Sequence, residues 1–258
     1  MGETHAVTQN ILSTHGLTKR FGGLLVSDAV DLEVRTGELH SIIGPNGAGK
    51  TTLINQLTGE IVPDGGKIEF DGTDITTMPS YKRSLLGLAR TYQITSIFHE
   101  FSALENVALA AQAHSGHSYG VWRPASRDPA LNEPSHRALE QVGLVAKRHV
   151  VAGELSHGEH RQLELAMGLV TEPKVLLLDE PMAGMGRVES AFLSKLLASL
   201  KGRYTIVLIE HDMDVVFALA DRITVLVYGK AIACGVPSEI RASLEVKRAY
   251  LGERYAAG

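Results

Sequence analysis

The chain has 258 residues, of which 44% are hydrophobic and 21% charged, a mix that supports a sizeable core and excludes a disordered or fibrous chain. Its 25 Lys and Arg against 29 Asp and Glu leave a formal net charge of −4, which excludes a broad basic footprint for nucleic acid or an anionic membrane surface. The single cysteine, Cys234, excludes an intramolecular disulfide and a cysteine-based zinc cage, and fits a reducing compartment.

The first ten residues, MGETHAVTQN, have neither a basic region nor an apolar run, so no secretory signal is expected, and Ala6 stands where a myristoylation motif needs Ser or Thr. Extended, β-branched stretches follow at about 24–34, 38–43 and 67–70, the last ahead of the turn pair Asp71-Gly72. From about 94 to 161 the pattern turns helical, broken by a Gly, Ser and Pro-rich stretch at 115–134. Short apolar strands at 175–178 and 205–209, with a helical stretch at 187–200 between them, form a βαβ unit and hence a parallel sheet. The apolar runs, 223–227 among them, are far shorter than the roughly 20 residues of a membrane helix.

Ser41-Ile42-Ile43 leads into Gly44-Pro45-Asn46-Gly47-Ala48-Gly49-Lys50-Thr51, which fits G-x-x-x-x-G-K-[ST] between a strand and a helical stretch at 52–57. The glycines let successive backbone N–H groups face a β-phosphate, and the helix adds its positive end. Lys50 is placed to reach the β and γ phosphates and Thr51 to ligate Mg²⁺. Further on, Leu155-Ser156-His157-Gly158-Glu159 opens a helix. Ser156 and Glu159 have capping-box spacing, and the same helix end with its hydroxyl and glycine also reads as an anion site. In Val175-Leu176-Leu177-Leu178-Asp179-Glu180-Pro181 two carboxylates leave the C-terminal edge of a buried strand, where α/β sheets bind ligands. Asp179 suits Mg²⁺ through water, and Glu180 suits the base that takes a proton from the attacking water.

These residues carry a resemblance. Gly44 to Thr52 as Walker A, LSHGE as the signature segment, VLLLDEP as Walker B and IEHD around His211 resemble the ATPase subunit of an ATP-binding cassette (ABC) transporter, over nearly the whole chain. The resemblance implies an α/β P-loop NTPase (RecA-like) core with an N-terminal antiparallel β subdomain and a helical subdomain. It implies one ABC ATPase domain over 1–258: β subdomain and P-loop core about 8–93, helical subdomain about 94–161, the second half of the core about 162–235 and a helical tail at 236–258. It also implies ATP and Mg²⁺ as cofactors and a head-to-tail dimer in which Ser156, Gly158 and Glu159 of one subunit meet ATP held by another. Phe21 resembles the residue that stacks on adenine, and Gln93 the Q-loop glutamine at the Mg²⁺ water. His211 resembles the switch histidine at the γ-phosphate. From the residues alone, Phe21 equally suits a core position and Gln93 a surface amide.

The tail, the 115–134 stretch and EPMAGMG are similar to the subfamily that energises importers of branched-chain amino acids and of urea or amides. That implies a homodimer or a heterodimer with a sister ATPase, docked on transmembrane permease subunits at the inner face of the membrane. An extracytoplasmic solute-binding protein would be reached only indirectly, and no nucleic-acid partner is expected. The chain departs from the common ABC pattern at His157, Glu159 and Gly186, where Gly, Gln and the D-loop Asp are usual. The loss of that Asp points to a sister subunit as partner. A stand-alone P-loop kinase would need neither LSHGE nor His211. A soluble non-transport ABC ATPase should show a coiled-coil insertion or two cassettes. The pairs His114 with His117 and His157 with His160 fall short of a four-ligand zinc site. Trp122 suits a surface loop or a docking spot, and Lys82, Arg83, Arg90, Lys147 and Arg148 read as solvated faces.

Overall fold

A computed structural model describes residues 9–91, 97–115 and 129–251, and these fall into two compact units, 1–83 with 200–258 and 84–199. Gln93, His117 and Trp122 lie outside the described residues.

The first unit begins with β1 (Asn10–Phe21) and β2 (Leu24–Arg35), an antiparallel hairpin closed at Phe21 opposite Leu24. β4 (Gly65–Phe70) pairs antiparallel with β1 on its other side and with β5 (Thr73–Asp74) through the Asp71-Gly72 turn, giving the order β2-β1-β4-β5. This is the expected antiparallel β region. β1 itself was not legible in the sequence, because its pairing slips at four places and its apolar alternation breaks with it.

The same unit holds a second sheet. β3 (Leu39–Ile43) runs parallel to β8 (Thr205–Ile209) on one side and to β9 (Arg222–Val227) on the other, and β9 pairs antiparallel with β10 (Lys230–Gly235). Every residue of β3 and β8 is buried, which is why both read as unbroken apolar runs rather than alternating ones. The phosphate-loop helix α1 (Lys50–Thr58) follows β3, and α2 (Ser80–Leu85) follows β5. α7 (Met213–Leu219), α8 (Pro237–Ala242) and α9 (Leu244–Leu251) occupy the later part of the chain.

In the second unit β6 (Leu88–Thr91) pairs parallel with β7 (Val175–Asp179). Three helices pack on one another, α3 (Ala103–Ser115), α4 (Pro129–Gln141) and α5 (His157–Leu169), and α6 (Arg187–Leu200) follows β7. The stretch expected to be irregular to residue 134 is helical from Pro129. Pro134 sits inside α4, so the proline did not mark an end there.

Candidate active site

The phosphate loop leaves the buried end of β3 and enters α1 at Gly49, whose φ of 99° and ψ of 7° are left-handed. No side chain caps α1 and its first turn carries no acid, so its N–H groups and positive dipole end suit an anion. Close packing dictates two of the glycines. A Cβ on Gly44 would stand 2.1 Å from the carbonyl oxygen of Leu226 and one on Gly49 2.6 Å from that of Val26. The turn between β9 and β10 braces the loop, Gly229 N–H donating to Ala48 O at 2.9 Å. Lys50 is buried and its ammonium donates to the carbonyls of Gly44 at 2.7 Å and Pro45 at 3.0 Å. Asn46, Gly47 and Thr51 are exposed, and Ala48 and Gly44 are buried beneath them. The far end of α1 is closed by Arg83, whose guanidinium donates to the carbonyls of Gln56 and Leu57 at 2.7 Å each, and to Met78 and Thr76 at 2.8 and 3.0 Å.

Phe21 is not a core residue: it is 49% exposed at the hairpin tip. Lys19 Nζ stands 5.6 Å from its ring centroid. Asp64 fixes this corner, accepting from Lys19 Nζ at 2.9 Å and from Arg20 N–H at 2.7 Å, and these two donors hold its carboxyl below the usual range.

His211 follows β8 with its imidazole 65% exposed. Beneath it Glu210, 1% exposed, accepts from the His211 backbone N–H at 3.2 Å and has Oε2 3.8 Å from Nδ1. Asp212 caps α7, accepting from the N–H groups of Asp214 and Val215. The histidine is therefore held between a buried acid and a helix cap. Both neighbours stand in the motif IEHD, where the sequence alone gives neither a role of its own.

The second unit carries the acidic strand end. Every residue of β7 is buried, including Asp179, and Arg90 on β6 donates from Nη2 to Asp179 Oδ2 at 3.0 Å. Glu180 follows in the left-handed region, φ 47°, and its carbonyl accepts from Ala183 N–H at 3.0 Å, so the chain turns sharply there. A non-glycine residue in that region costs on the order of 1 kcal/mol or more, strain of a kind that clusters at functional sites. The expectation that Arg83 and Arg90 lie on solvated faces is overturned, since Arg83 is buried and the Arg90 side chain is only 9% exposed. The partners that bury them, Asp179 for Arg90 and Gln56 and Leu57 for Arg83, lie far off in sequence. Lys147 is instead half exposed and pairs with Glu159, and Arg148 donates to Val145 O from the surface.

The capping box is present. Ser156 Oγ accepts from Glu159 N–H at 3.4 Å and Glu159 Oε2 accepts from Ser156 N–H at 3.0 Å. Lys147 is the main cause that holds the Glu159 carboxyl below its ordinary range. His157 Nε2 lies 3.5 Å from Ala183 O, so the start of α5 adjoins the turn after Glu180. Gly186 N–H donates to Glu189 Oε2 at 3.1 Å, which supplies locally a carboxylate at the start of α6 where the D-loop Asp is missing. His160 Nε2 bonds Ala152 O at 2.7 Å and its ring meets His99 edge-on. Among the described residues no group of three or more His, Cys, Asp or Glu could hold a metal ion. Thr51 in the first unit offers an exposed hydroxyl and Asp179 in the second a buried carboxylate, each an oxygen donor of the kind Mg²⁺ takes.

Three comparisons bear on this arrangement. A family model described as ABC transporter matches residues 27–183. The chain is 41% identical over 254 residues to the high-affinity branched-chain amino acid transport ATP-binding protein BraF of Pseudomonas aeruginosa, covering 96% of this chain and 100% of that protein. The same figures hold for the corresponding protein LivG of Escherichia coli. Among solved structures, an ATP-binding cassette of an ABC transporter in its ADP conformation superposes with a TM-score of 0.84 and 31% identity, covering 95% of this chain and 100% of that one. A nucleotide-free cassette from an ABC transporter gives the same values. Among the described residues no helix is long and apolar enough to cross a membrane.

Proposed function

The chain belongs to the ABC transporter family, and we propose that it is the subunit whose ATP hydrolysis drives an importer of branched-chain amino acids or of related small polar solutes such as urea or amides. It binds nucleotide and it is an ATPase. What supports the choice of solute is the end-to-end likeness to two branched-chain amino-acid transport proteins.

In this reading the loop from Gly44 to Thr52 wraps the phosphates, with Pro45, Asn46, Gly47, Ala48 and Gly49 presenting backbone and Lys50 swinging its charge to the β and γ oxygens. Mg²⁺, held by Thr51, Asp179 and Gln93 partly through water, would neutralise the charge of those oxygens. Glu180 takes a proton from the water whose oxygen attacks the γ-phosphorus as the bond to the β–γ bridging oxygen breaks, leaving ADP and phosphate. His211, steadied by Glu210, contacts the γ-phosphate, and Phe21 stacks on adenine with Lys19 at its ring. Ser156, Gly158 and Glu159 meet the nucleotide held by a second subunit, a copy of this chain or a sister ATPase. Glu189 at Gly186 favours the sister, because the side chain that would reach across is replaced by a contact within the chain. Permease subunits place the protein at the inner face of the membrane.

The test is uptake by vesicles that hold the chain with its permease subunits, offered labelled leucine, urea and acetamide with ATP inside. The proposal expects ATP-dependent uptake of one of these, leucine foremost, and its loss with Lys50→Ala. Hydrolysis without uptake of any of them would overturn the assignment of the solute.

A further inference from the structure

The carboxylate that ends β7 carries its own cation. Arg90 and Asp179 meet at 3.0 Å with little of either side chain exposed, 9% and 5%. β6 and β7 run parallel with Arg90 opposite Leu177, so the guanidinium reaches two residues along the strand to the C-terminal edge where ligands bind in such sheets. Burial makes this contact consequential. A buried ion pair adds little to stability, often less than apolar side chains of the same volume would, so fold alone is a weak reason for it. A positive charge beside a metal-binding carboxylate, in a place where water screens poorly, acts directly on the affinity for a dication.

We propose that Arg90 is a positioning residue of the metal site: it orients the Asp179 carboxylate and opposes divalent cations there, so that Mg²⁺ binds well only together with the nucleotide phosphates. The inference rests on the reading of Asp179 as the Mg²⁺ acid. Arg90 supplies one fixed positive charge. The phosphates of ADP or ATP bring several negative ones, and with them present the balance at the site favours the dication. Without nucleotide the guanidinium keeps Asp179 occupied, and the subunit does not collect metal that would misorder later nucleotide entry. Arg90 touches neither substrate nor reacting atoms in this scheme; it acts through Asp179.

Mn²⁺ is the probe, and its binding is read by electron paramagnetic resonance on the purified chain with and without ADP, which needs no turnover. Arg90→Gln should bind Mn²⁺ about tenfold more tightly with ADP, the size expected when a like charge within about 4–6 Å is removed, and should gain measurable binding without nucleotide. Arg90→Met, with the same expectation, serves if the Gln variant does not fold. Arg90→Lys keeps the charge but loses the planar fork, and should stay within about twofold of the parent. A purely structural bridge predicts Mn²⁺ affinity in the folded variants equal to or weaker than the parent, and that result overturns the proposal. Asp179→Asn separates the two levels. If it binds Mn²⁺ as the parent does, the reading of Asp179 fails and the role of Arg90 with it; if it has lost Mn²⁺ while Arg90→Gln is unchanged, only the role of Arg90 fails.

Discussion

Ser156 and Glu159 cap each other: the serine hydroxyl accepts the Glu159 N–H and the glutamate accepts the Ser156 N–H at 3.0 Å. Ser156 nevertheless stays exposed, so one residue serves both as helix cap and as a surface hydroxyl at a helix N-terminus. The two roles separate by substitution. Ser156→Ala should cost about 0.5–2 kcal/mol, a fall in Tm of roughly 1–8 °C for a chain of this size. Ser156→Asp keeps a good cap and should melt like the parent, yet in the proposed dimer it places a negative charge towards the γ-phosphate of ATP on the second subunit. Thermal melts and ATPase rates of the assembled transporter check this. Full turnover by Ser156→Asp would show that the segment is a cap alone.

Lys147 makes the same helix start pH-dependent. Its hydrogen bond lowers the Glu159 carboxyl, so the folded value lies below the unfolded one. The stability this gives is present above the ordinary carboxylate range and is lost as pH falls through the folded value. Lys147→Met should therefore be less stable than the parent at neutral pH, and the difference should vanish in acid. Urea midpoints at a series of pH values measure it. A difference that persists at the acid end would assign the effect to packing of the lysine stem.

Arg83 closes α1 at the end opposite the phosphate loop. It is 1% exposed and donates to four main-chain carbonyls, among them the last-turn carbonyls of Gln56 and Leu57. Burial pushes its guanidinium down to about 10, still far above neutrality, so it remains a cation at the negative end of the helix. Arg83→Met strips charge-assisted hydrogen bonds from those buried carbonyls and should cost about 3 kcal/mol or more, a Tm lower by roughly 6–12 °C. A melt within a degree of the parent would mean that the carbonyls find other donors.

The phosphate loop was legible because its chemistry is local: eight consecutive residues, a strand before and a helix after. The same holds for α5, which starts right after the expected cap, and for α6, found at the expected 187–200. What the sequence hid depends on distant partners. Arg90 and Asp179 are 89 positions apart, and Arg83 reaches back 27 to Gln56, so each arginine looks like a solvated base until the chain is folded. β1 pairs on both edges through irregular registers, and β9 showed only an apolar run at 223–227 that gave no hint of its position beside β3. Glu210 was hidden by its neighbour, since an acid beside an exposed histidine gives no sign of being buried.

Lys50 bears on nucleotide binding directly. Lys50→Ala removes the ammonium that now rests on the carbonyls of Gly44 and Pro45, and alanine keeps the first turn of α1. ATP affinity should fall roughly tenfold to a hundredfold, the value of about one charge-assisted hydrogen bond to the phosphates, and Tm should fall too, because the carbonyls of Gly44 and Pro45 lose their ammonium donor. Titration with a fluorescent ATP analogue checks it, and an unchanged affinity would remove the loop from the phosphate site.

The most direct measurement is single-turnover hydrolysis of ATP by the transporter assembled with Glu180→Gln. Gln has nearly the shape of Glu and meets the same left-handed backbone at φ 47°, so the substitution alters the proton acceptor and leaves the turn as it is. ATP should bind as in the parent and stay uncleaved, with the hydrolysis rate lower by about 10² to 10⁴. Hydrolysis at the parent rate with ATP bound would contradict the role of Glu180 as the base.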